Sequence, residues 1–220
     1  MMNNREIVVK GIGKASTAPD LIVLDMNLKV SDKDYERTMR RSSDMLDVLR
    51  AAITSAGHDR KDMKTTAFDI NTRYESYREN GGHKQRFAGY NCHHGLKLEF
   101  DLDMALLGTT LGAIAGCEAS PNFNINFSIK DQNAVSEQLL ESAVENAKQK
   151  ATVLARAAGV TLGVIQRIDY NWSEHHLYSQ TDYLMDGGAL MCCEAAPMAI
   201  DTEPEDINVS DTATVVWAIE

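Results

Sequence analysis

The sequence predicts an α+β fold: a mainly antiparallel sheet with two long helices and one shorter helix packed on one side of it. Three observations lead there. Segments of period-two alternation recur along the chain, clearest in residues 122–130, where Phe123, Ile125, Phe127 and Ile129 oppose Asn122, Asn124, Asn126 and Ser128. Two long stretches instead space their apolar residues by three or four and stop at a glycine. The segments follow in the order ββα-ββα-βα-ββ, read as one domain over residues 1–220.

Residues 6–14, EIVVKGIGK, read as a strand that ends in glycines. TAPD is a turn in which Pro19 fixes φ and Asp20 offers a local acceptor. Residues 21–30 form a second strand, and the short connection predicts that the two pair as a hairpin. Ser31 or Asp32 then caps a long helix with the stripe Tyr35, Met39, Met45, Leu46, Leu49 and Ile53, and Gly57 sits at its C′ position.

Residues 64–77 and 86–101 are strands joined through an exposed turn at Gly81-Gly82. Asp103 caps the shorter helix through Leu106, Leu107, Leu111 and Ile114, which ends near Gly116. After the strand at 122–130, a helix from about Asp131 to Ala158 carries Val135, Leu139, Ala143, Ala147, Ala151, Leu154 and Ala158 on one face and stops at Gly159. Its alanines predict close helix packing. Residues 161–172 form the next strand and residues 207–220 the last. Between them, 173–206 is polar and glycine-containing, longer than an ordinary loop, and reads as an excursion or an oligomer contact.

A net charge of −10 disfavours nucleic acid and anionic membranes as partners. The densest basic run, Arg37, Arg40 and Arg41, lies at helical spacing among acids. No stretch has the length and apolarity of a membrane helix, and MMNNREIVVKGIGKAS has no signal-peptide core. As written, the chain is expected in the cytoplasm, or in the periplasm or envelope if a leader has been removed. Cys92, Cys117, Cys192 and Cys193 follow no disulfide framework and read as free thiols.

Little in the chain looks reactive. GIGKAS lacks the spacing of a Walker loop, since Ala15 follows Lys14 and Pro19 blocks a prompt helix; its glycines read as permitting a bulge or tight bend. In GYNCHHGLKLEF, strand alternation puts Tyr90, Cys92, His94, Leu96, Leu98 and Phe100 on the apolar face. Asn91, His93, Lys97 and Glu99 take the other face. Cys92, His93 and His94 therefore cannot grip one metal without a bulge at Gly95. Cys92 and His94 would supply two ligands, and zinc would need more, from His175 or His176. Cys192-Cys193 read as two free thiols, with Glu194 raising rather than lowering a thiol pKa. DTEPED, 201–206, reads as a solvated acidic loop.

Several segments together resemble the SIMPL-domain (DUF541) family: VKGIGKASTAPDLIVLDMNLKV, the Gly89-Tyr90 opening, DLDMALLGTTLGAI, and AKQKATVLARAAGVTLGVIQRI. The resemblance spans about Glu6 to Ile219 and implies an α+β protein that assembles into large rings or channel-like oligomers, with no established catalytic motif. It also implies associations with stress tolerance and, in animals, with a signalling kinase. The expectation is a non-enzymatic homo-oligomer with a protective or scaffolding role and no catalytic residue, cofactor or metal. The alternative is a small-molecule or transition-metal-binding protein, enzymes included, with a pocket between the sheet and the late loop.

Overall fold

The computed structural model describes residues 5–79, 82–170, 177–181 and 203–220. The elements are β1 (Glu6–Thr17), β2 (Leu21–Asp32), α1 (Tyr35–Ser55), β3 (Met63–Glu79), β4 (Gly82–Asp101), α2 (Met104–Ala115), β5 (Asn122–Ser128), α3 (Gln132–Ala158), β6 (Leu162–Tyr170) and β7 (Ile207–Ile219). Class and order are those the sequence predicts. The strands form two sheets rather than one, β1-β7-β6 and β3-β4-β2-β5.

The expected β1/β2 hairpin is not made. β1 pairs antiparallel with β7 and β2 antiparallel with β4. The TAPD turn instead ties down a distant segment. The Asp20 N–H donates to the Ser128 carbonyl at 3.0 Å, and the Asp20 carboxylate accepts from the Lys130 N–H at 2.8 Å.

The chain divides into two compact units. One comprises Met1–Asp20, Ser128–Gln180 and Pro204–Glu220, and so holds β1, β6, β7 and α3. Gly11 and Gly13 lie inside β1, not at its end, and the ladder to β7 runs through both without a register shift, so no bulge forms. Their role is close approach. A Cβ on Gly11 would stand 1.9 Å from the Ala143 carbonyl oxygen, and one on Gly13 would stand 2.1 Å from that of Leu139. The facing stripe of α3 is Val135, Leu139, Ala143, Ala147, Ala151 and Ala155, all buried. The stripe ends on Ala155, and Leu154 and Ala158, both expected on it, are exposed, because strict i+4 steps from Ala151 lead to Ala155.

That proximity lets α3 complete the outer edge of β1. Ile12 N–H donates to Asn146 Oδ1 at 3.0 Å, Lys14 N–H donates to Ser142 Oγ at 3.3 Å, and Lys150 Nζ donates to the Lys10 carbonyl at 3.1 Å. Four helical residues rise about 6 Å and two strand residues about 6.6 Å, so the two ladders keep step over this length. From the predicted excursion, Leu177 is buried with Ala15, Ile129, Val135, Leu139 and Ile207, and its carbonyl accepts from Ser128 Oγ at 2.7 Å.

The other unit comprises Leu21–Phe127 and Thr181–Glu203. Its core joins Ile22, Leu24, Met26 and Leu28 to Leu49 and Ile53, Leu96 and Leu98, Leu107, Leu111 and Ile114, and Ile125 and Phe127. Each such buried side chain contributes about 1.5–3 kcal/mol. α1 is capped by Asp34, not Ser31 or Asp32: β2 runs on to Asp32, and the Asp34 carboxylate accepts from Arg37 N–H at 3.0 Å. The start of its buried face is polar, Thr38 and Ser42, while Tyr35 and Met39 stay exposed. Asp103 and Asp131 cap α2 and α3 as expected, and Gly159 ends α3 in the left-handed conformation, φ 68°.

Gly11→Ala is expected to lower stability by about 1–3 kcal/mol, because the new methyl meets backbone that no rotamer can move. Gly112→Ala, in α2 with nothing within 4 Å of the added Cβ, is expected to raise it by about 0.5–1 kcal/mol. Urea denaturation of both variants beside the wild type checks the pair, and equal midpoints would contradict the packing account.

Candidate functional site

β4 carries the ligand-type residues. Cys92, His94, Leu96 and Leu98 are buried on the helix-facing side, and His93 points the other way, as alternation requires. β4 keeps regular register with β2 through Gly95, opposite Asn27. The irregularity lies across from it, in β3, between Thr65 and Ala67. Nothing turns His93 onto the face of its neighbours.

Cys92 and His94 each have their own partner. The Cys92 thiol donates to Ser42 Oγ at 3.3 Å. His94 Nε2 lies 3.0 Å from Thr65 Oγ1, and the ring packs edge-on to Phe68 with centroids 5.0 Å apart. Burial holds the His94 pKa below its ordinary value, and the nearby Arg50 charge adds to the effect. Among the described residues, no group of three or more His, Cys, Asp or Glu side chains is arranged to hold a metal ion. His175, His176, Cys192 and Cys193, and the pocket expected beside the late loop, lie outside the described residues.

Two polar pairs escaped the sequence reading. His58 is buried after α1, with Nε2 2.7 Å from Thr110 Oγ1 and its ring 4.7 Å from Phe100. Thr110 Oγ1 donates to the Leu106 carbonyl at 2.7 Å, so its single hydrogen is committed and His58 Nε2–H must be the donor. Burial depresses the His58 pKa, with Asp62 opposing. The second pair ties β6 to β7: Tyr170 hydroxyl donates to buried Asp211 at 2.6 Å, which raises the Tyr170 pKa. Neither pair has a local signature, because partners 52 and 41 residues apart meet only through the fold.

The surface also carries apolar patches. β6 exposes Val164, Ile165 and Ile168, at 75%, 48% and 49% of their full area. On the outer side of α3, Leu140, Val144 and Val153 line a shallow groove.

His58 and His94 together predict an acid-sensitive fold. Each folded-state pKa is depressed below 6.5, so the unfolded chain binds protons first as the pH falls. Their contribution is intact above the unfolded value and is lost as pH drops through it toward the folded one. Urea midpoints should fall between about pH 7.5 and 5.5, and less steeply in a His58→Asn, His94→Asn double variant. An unchanged slope would remove these histidines from the account.

The comparisons agree with the architecture. The family model SIMPL, described as a protein of unknown function (DUF541), matches residues 7–217. The 26 kDa periplasmic immunogenic protein of Brucella abortus (strain S19) is 26% identical over 163 residues, 74% of this chain and 65% of that relative. Its counterpart in Brucella melitensis biotype 1 is 25% identical over the same length. The match thus spans just under two thirds of each relative. With the family pattern running from β1 to β7, the chain belongs to the SIMPL (DUF541) family.

Proposed function

We propose that this chain is a non-enzymatic, self-associating protein with a protective or scaffolding role. The observation that carries the reading is β6. In the sheet β1-β7-β6, the β1 edge is completed by Asn146, Ser142 and Lys150, whereas β6 stands at the opposite edge with its apolar side chains in solvent. A sheet edge flanked by exposed Val164, Ile165 and Ile168 favours pairing with another chain. The apolar groove on α3 belongs to the same unit and enlarges the surface available.

The non-enzymatic part rests on the partners already described. Cys92 and His94, the best reactive candidates, are each occupied by a hydroxyl in a packed interior. No helix among the described residues is long and apolar enough to cross a membrane. The relatives are named periplasmic, which supports an envelope location for this chain. Cell fractionation tests that directly.

Light scattering should give a mass well above the 24.3 kDa of one chain. Val164→Lys and Ile168→Lys should shift it toward the monomer without lowering the urea midpoint. A monomer at micromolar concentration would overturn the reading, as would stoichiometric transition metal in the purified native protein.

A further inference from the structure

A second surface for association lies in the other unit, and the inference rests on the self-association proposed above. β3 is the outer strand of the sheet β3-β4-β2-β5 among the described residues. β2 follows β4 only as far as Tyr90, opposite Asp32. Beyond that point, residues 74–79 of β3 and 82–87 of β4 pair with each other alone among the described strands. These six cross-strand pairs carry the hairpin on by about 20 Å. A ribbon of two strands is marginally stable by itself, so this arm gains from further strands.

The two faces of the arm differ. On one, exposed Tyr74 and Phe87 meet edge-on with ring centroids 6.0 Å apart, and the aromatic ladder continues to Tyr90 and Tyr35 at 5.3 Å and 5.5 Å. Arg78 shares the face of Tyr74, four residues on along β3. It is exposed and has no hydrogen bond or ion pair among the described residues. On the other face the charges pair within the arm. Arg73 and Arg86 each stand 3.4 Å from the Glu75 carboxylate, and the Arg86 guanidinium lies 5.8 Å from the centre of the Tyr77 ring.

We propose that the outer edge of β3 in this arm joins the same edge of a second copy, antiparallel, about a two-fold axis at Ser76. Residues opposite each other across such a joint share a face, so the register shifts only in steps of two. Centred on Ser76, it sets Arg78 of each chain opposite Tyr74 of the other, and Glu75 opposite Tyr77. An uncommitted cation meets an open ring at both ends of the joint, and no like charges stand opposed in these pairs. Centred on Glu75, the joint would oppose the two carboxylates directly. The β4 edge is the poorer choice, because centring on Lys84, Gln85 or Arg86 sets cation against cation. Joined at β3, two marginal ribbons become one sheet of four strands.

The test is oxidative cross-linking of the full chain carrying Ser76→Cys, beside Gln85→Cys, which places the thiol on β4 opposite Ser76. Both positions are exposed. The expected result is a covalent dimer through position 76, identified by the mass of the linked peptide, with little product from Gln85→Cys. Adding Arg78→Glu should cut the yield about tenfold by removing both cation–ring contacts. Val164→Lys and Ile168→Lys should leave it unchanged, since β6 belongs to the other unit. Absence of the 76–76 link would overturn the inference, as would equal yield from Gln85→Cys or indifference to Arg78→Glu. A link from position 76 to Cys117 instead would put a different segment on this edge and overturn it too. If the link is absent while light scattering still gives an assembly that β6 variants disperse, the β3 joint alone fails; a monomer by light scattering defeats both.

Discussion

Two missing side chains set the geometry of the unit that holds the chain ends. With hydrogen at Gly11 and Gly13, β1 lets the α3 backbone come within a distance that any Cβ would forbid. Ala143, Ala147 and Ala151 supply the matching smallness from the helix side, each fully buried. Dense packing of backbone on backbone leaves no room for rearrangement, so helix and strand are locked in one register. Asn146, Ser142 and Lys150 can reach the β1 edge only because that distance is short.

The same contact makes the sheet asymmetric. One edge has its polar groups answered inside the chain. The other, β6, is the outer strand of that sheet among the described residues, with exposed valine and isoleucine on it. Natural sheets rarely leave an apolar edge uncovered, which is why the proposed association is placed at β6. The second unit has a different logic. Its interior is a broad apolar core, in which the Cys92 thiol and the His58 imidazole each find a hydroxyl neighbour. At its rim, Arg50, Arg60 and Lys61 are paired with Asp47 and Asp59.

Much of this was legible in the sequence, for local reasons. Alternation in β4 and β5 placed Cys92, His94, Ile125 and Phe127 inside. Asp103 and Asp131 announced helices because capping is decided within three residues. The errors have one physical source, which is partners distant in the chain. β1 and β2 are neighbours in sequence, yet β1 pairs with a strand some two hundred residues away. The glycines of GIGK looked like a bend because the helix that needs their smallness lies far downstream. At the start of α1, SDKD offers several capping oxygens, and only the extent of β2 selects Asp34. The His58–Thr110 pair and the Arg50–Asp47–Arg60 convergence likewise required three dimensions.

The central claim is that α3 completes the β1 edge and leaves β6 as the surface for association. Residue-resolved amide hydrogen exchange, followed as protein concentration is raised, tests both halves at once. The account predicts that Ile12 and Lys14 amides are protected even in the most dilute sample, since their acceptors are Asn146 and Ser142. It predicts that β6 amides not paired with β7 exchange rapidly when dilute and become protected as chains associate. Rapid exchange at Ile12 and Lys14 in the dilute protein, or protection that appears at β1 rather than β6 on concentration, would contradict it.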